Sequence, residues 1–74
     1  MNREGLSMET DHEQFAMALK TWRLRKGYTQ RRLAELWQVS RFTIMRAEAA
    51  KQLTWEMTYK LFARLSYELE REAK

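Results

Sequence analysis

Guanidinium and ammonium groups are the side chains of this protein best suited to chemistry, and their crowding into one segment indicates what they act on. Residues 20–51 hold nine cations (Lys20, Arg23, Arg25, Lys26, Arg31, Arg32, Arg41, Arg46 and Lys51) against only Glu35 and Glu48. Residues 1–13 carry an excess of three acids and residues 52–74 balance, so the net charge of +4 arises wholly in the middle segment. An arginine presents a planar fork of donors that can meet a phosphate or a base edge through two parallel hydrogen bonds. Basic surface gathered on one module is the electrostatic footprint of a nucleic-acid binder. Charge alone leaves open an ordinary solvated helix face.

Other chemistries find little material. The chain has no cysteine, which excludes disulfides, thiolate metal sites and a thiol nucleophile. His12 is the sole imidazole, and no glycine-rich phosphate loop is present. Glu68, Glu70 and Glu72 sit among bases on a solvated helix rather than in a cleft. No enzymatic activity, metal or cofactor is expected. No apolar run approaches the ~18 residues of a membrane span. The first residues carry Glu4, Glu9 and Asp11 instead of a basic-then-apolar signal pattern. These features point to a cytoplasmic protein with no membrane partner.

The elements that position the cations can be read from periodicity. Residues 1–9 show none and are expected to be a flexible lead-in, with residues 10–74 forming one domain. Thr10 with Glu13, or Asp11 with Gln14, is a capping signature. Phe15, Ala18, Leu19 and Trp22 then make a helical stripe that Gly27 ends, and Tyr28 tucks a ring beneath the turn. Leu33, Ala34 and Trp37 repeat at helical spacing after a Thr29 cap, and Ile44 and Ala47 resume it after Ser40. Thr54 caps a last helix with Met57, Leu61 and Leu65 in line. Nothing after Phe62 breaks that helix, although a short fifth helix remains open. The chain is all-α, with four to five helices. Two short helices at 30–38 and 41–49, braced at a corner, form a helix-turn-helix pattern.

The spacing of Thr29-Gln30, Leu33-Ala34, Val39-Ser40, Thr43-Ile44 and Glu48 resembles the Cro/repressor-type (XRE) helix-turn-helix domain of phage and bacterial regulators. The likeness spans Phe15 to Leu65. It implies a lambda-repressor-like bundle of about five helices that binds operator DNA, usually as a homodimer, and a cytoplasmic protein that joins the nucleoid when bound. Small regulators of this kind are frequent in phages and other mobile elements. The resemblance makes Arg41, Phe42 and Arg46 the base-contacting residues and Gln30 a phosphate contact. It also makes Arg23 and Glu48 a buried ion pair, in keeping with an acid near a helix C-terminus that needs a structural reason to be there. Arg31, Thr43 and Lys51 are further phosphate contacts, which hold register without reading sequence. The chain departs from the family pattern at Gln38 and Ala50, where glycine is usual, at Thr54, where proline is common, and at the large Trp37. Gln38 is therefore expected to take positive φ.

Together these readings describe a sequence-specific double-stranded DNA-binding transcription regulator, most simply a repressor that occupies a palindromic operator. Its dimer surface is expected on the last helix (Tyr59, Phe62, Leu69) or the loop before it. The remaining aromatics (Phe15, Trp22, Trp55, Phe62, Tyr67) read first as core and second as a partner surface, with Trp55 the best candidate for the second role. The rival is a protein-binding module on the same fold, with Phe42, Met45, Trp55 and Tyr67 as an apolar patch for a protein partner.

Overall fold

A computed structural model describes residues 8–73, with side chains from His12 onward. Four helices follow in order: α1 (Met8–Lys26), α2 (Gln30–Trp37), α3 (Arg41–Glu48) and α4 (Trp55–Glu72). No strand occurs among the described residues. The number of helices lies within the expected range, and α4 is a single helix because nothing in it removes a backbone donor or favours a turn.

α1 begins at Met8, so Thr10 and Asp11 lie inside the helix rather than capping it. Met8 and Glu9, expected in the lead-in, are helical, and residues 1–7 lie outside the described part. The other caps form as the side chains dictate. Thr29 Oγ1 accepts the Arg32 N–H at 3.0 Å, Ser40 Oγ that of Thr43 at 3.0 Å, and Thr54 Oγ1 that of Met57 at 3.2 Å.

The first three helices end in one way. Beyond each stands a residue with left-handed backbone: Gly27 at φ 79°, Gln38 at 58° and Ala50 at 58°. In each case two N–H groups fold back onto the last turn, as a six-to-one and a five-to-two pair. Tyr28 N–H reaches Arg23 O and Gly27 N–H reaches Leu24 O; Val39 and Gln38 do the same to Ala34 and Glu35, and Lys51 and Ala50 to Arg46 and Ala47. Only the first end uses glycine, which takes positive φ freely. The other two carry a Cβ at a cost of about 1–2 kcal/mol each.

The core joins Leu19 and Trp22 of α1, Leu33, Ala34 and Trp37 of α2, Ile44 and Ala47 of α3, and Leu61 and Leu65 of α4. Trp22 lies at its centre, 5.6 Å from the Trp37 ring and 6.0 Å, edge-on, from Tyr28. Phe15 rests 5.9 Å from Phe62, and Trp22 meets Glu72, so α1 and α4 run side by side in the same direction. The first reading of the remaining aromatics, as core, does not hold for three of them. Trp55, Phe62 and Tyr67 are exposed, because α4 turns only the narrow line of Leu61 and Leu65 inward.

Candidate nucleic-acid interface

The corner between α2 and α3 is held from beneath by Glu48. Its carboxylate receives Arg23 Nε at 2.6 Å and Nη2 at 2.9 Å, and Gln30 Nε2 at 3.1 Å. Arg23 spends its remaining terminal nitrogen on Tyr28 O at 2.8 Å. The two charged side chains are only 9% and 4% exposed. The hydrogen bond to Glu48 raises the Arg23 pKa; burial opposes it, and attraction to the carboxylate adds to it. One acid thereby ties together the end of α1, the start of α2 and the end of α3. The side-chain nitrogen of Gln30, expected on a phosphate, is turned inward to this acid.

Above the knot, Arg23, Thr29, Gln30, Arg31 and Arg41 line one open concavity. Residues 31 and 41 reach it from the first turns of two different helices. Neither turn contains an acid, so both positive helix ends act in the same sense as the guanidinium groups. The concavity is positively charged on both sides, with Arg31 and Arg41 on its walls.

Arg41 and Phe42 project from the start of α3, and Phe42 is 64% exposed. Arg46 behaves differently. Its Nη2 donates to Gln52 O in the following loop, and its guanidinium lies 5.9 Å from the Phe42 ring centre. It is half-buried. Thr43 has its hydroxyl beside Ser40 Oγ at 2.9 Å, within the cap of α3. Lys51 is exposed beyond the far end of α3, with its N–H on Arg46 O.

The molecule thus brings together Gln30, Arg31 and Arg41, keeps Phe42 next to Arg41, and sets Arg46 back against the loop. Sequence reasoning missed Gln52, whose part is played by its backbone carbonyl, a group that residue type does not reveal. It also missed Thr29 as a wall of the concavity, although its place just before Gln30 was the available signal. Comparison with protein-family models, curated proteins and solved structures yields no match.

Proposed function

We propose that the protein binds double-stranded DNA sequence-specifically through α2 and α3 acting as a helix-turn-helix, and that it regulates transcription by occupying an operator. The observation that carries the reading is the shared concavity, which Arg31 from α2 and Arg41 from α3 both line. Arg31 meets the DNA backbone while α3 lies in the major groove. Arg41 then reads a guanine edge through O6 and N7, and the exposed Phe42 ring lies against a thymine methyl. Arg31 and Lys51 neutralise phosphates on either side of α3. Repression by occupancy is the simplest mechanism, since it asks nothing of the protein except binding.

Selection from a random duplex library with the purified protein tests this. The expected result is a recurrent motif whose affinity falls with salt. With Arg31 and Lys51 on phosphates, the log–log slope is about −1.8 per protomer, at about −0.9 per phosphate neutralised. Arg41→Ala is expected to cost about 1–3 kcal/mol and to relax preference at one position. Equal loss on all sequences would reduce Arg41 to a phosphate contact. No enrichment at all, together with a protein complex abolished by Phe42→Ala, would favour the protein-binding reading.

A further inference from the structure

The outward side of α3 is hydrocarbon over most of its length. Phe42, Met45 and Ala49 follow one another in steps of three and four, all exposed, on the side away from the buried Ile44 and Ala47. Such steps keep side chains on one helix face. Cations border this strip, with Arg41 exposed at its start and Lys51 exposed beyond its end. The Phe42 ring is also held in place. Ringed largely by water, it has support from Arg46, whose guanidinium lies 5.9 Å from the ring centre while its Nη2 donates to Gln52 O. A half-buried cation, anchored to the loop, thus steadies an exposed ring instead of reaching outward itself.

In the major groove of a duplex, phosphates form the rims and base edges the floor. Cations at the borders of an apolar strip suit those rims, and the strip itself meets the floor. Of the groups on that floor, the C5-methyl of a pyrimidine is the one that gains from contact with hydrocarbon. Donors and acceptors lose water there without replacement. Phe42, Met45 and Ala49 carry no strong hydrogen-bonding side-chain group, so they respond to the methyl and not to the base that bears it.

We infer that this face recognises the C5-methyl group itself, so that 5-methylcytosine serves in place of thymine and cytosine methylation converts a weak site into a strong one. Cytosine without its methyl offers the strip only polar edge groups, whereas the methylated base presents the same methyl at the same ring atom as thymine. Arg46 is the positioning residue that keeps the Phe42 ring over the methyl, and is not itself a reader of bases. The inference deepens the DNA reading and rests on it.

The duplex recovered by library selection provides the test. Deoxyuridine replaces each thymine in turn, which removes the methyl and leaves base pairing intact. Affinity is expected to fall about fourfold at the most sensitive position, the worth of one buried methyl group. A cytosine–guanine pair placed there should bind more weakly than the same pair with its cytosine methylated, by a similar factor. Phe42→Ala, at an exposed position and with helix content retained, should erase the difference between thymine and deoxyuridine at that position. Arg46→Ala should reduce the same difference while leaving the salt slope unchanged. A slope shallower by about 0.9 would make Arg46 a phosphate contact and overturn its positioning role. A duplex bound equally well with thymine or deoxyuridine at every position, or a difference that survives Phe42→Ala, would overturn the inference and leave DNA binding standing. Failure to select any duplex would remove both.

Discussion

Glu48 receives three hydrogen bonds from two helices other than its own, which makes it the single residue whose loss the structure resists most. Glu48→Ala leaves a buried guanidinium and the Gln30 amide without their acceptor. Its expected cost is about 3–5 kcal/mol, read from the urea midpoint. A loss below about 1 kcal/mol would place the pair with solvent-exposed ion pairs. Gln38 makes the opposite prediction. Its backbone stands at φ 58° with a Cβ attached, so Gln38→Gly is expected to raise stability by about 0.5–1 kcal/mol after the added freedom of the unfolded chain is counted. The same urea titration checks the sign. Gln38 also shows what one position can reveal: glycine's usual place at such a corner announced the left-handed backbone before any coordinates. Arg46 shows the reverse. Its partner is a carbonyl oxygen that every residue carries, so no residue type pointed to it.

Among elements, α2 and α3 are two turns each and cannot persist alone. They are stable because Leu33, Ile44 and Leu61 meet with no exposure to water. Leu61→Ala is expected to remove about 2–5 kcal/mol and to loosen the corner with it. Hydrogen exchange should then accelerate in α2 and α3, not only in α4; acceleration confined to α4 would show the corner to be self-supporting. The caps Thr29, Ser40 and Thr54 were legible because a short polar side chain before an apolar repeat has one favourable use. The start of α1 was not, since six polar residues (9–14) separate Met8 from the stripe that begins at Phe15, and Thr10 and Asp11 among them imitate caps. The exposed aromatics of α4 were read first as core because ring type signals burial, whereas helical phase decides it. Leu61 and Leu65 take the inward line, and Trp55, Phe62 and Tyr67 fall outside it.

Across the whole molecule, the end of α4 is fastened to the end of α1 by one carboxylate. Glu72 accepts from Trp22 Nε1 at 2.7 Å and Arg25 Nη2 at 2.7 Å, and pairs with Lys26 Nζ at 2.8 Å. An acid at a helix C-terminus opposes the dipole, and here the cations ending α1 offset that opposition. The hydrogen bond from Lys26, then that from Trp22, lowers the Glu72 pKa from 4.5 to about 2. The sign follows directly. The folded state holds the carboxylate more acidic than the unfolded chain does, so the clasp stabilises the fold above about pH 4.5 and is lost as pH falls toward about 2. Glu72→Gln should therefore differ from the parent at neutral pH and converge with it in acid. A difference independent of pH would remove the charge from the explanation. None of this was legible locally, because residues 22 and 72 are fifty positions apart.

The parallel run of α1 and α4 has a consequence for how the chain comes into being. Trp22 leaves the ribosome fifty residues before the carboxylate that receives its indole N–H. At ~5–20 residues per second the nascent first helix waits several seconds with that side uncovered. Until Glu72 is made the indole N–H lacks its acceptor, and a chain stalled before that residue displays it to whatever chaperone is nearest.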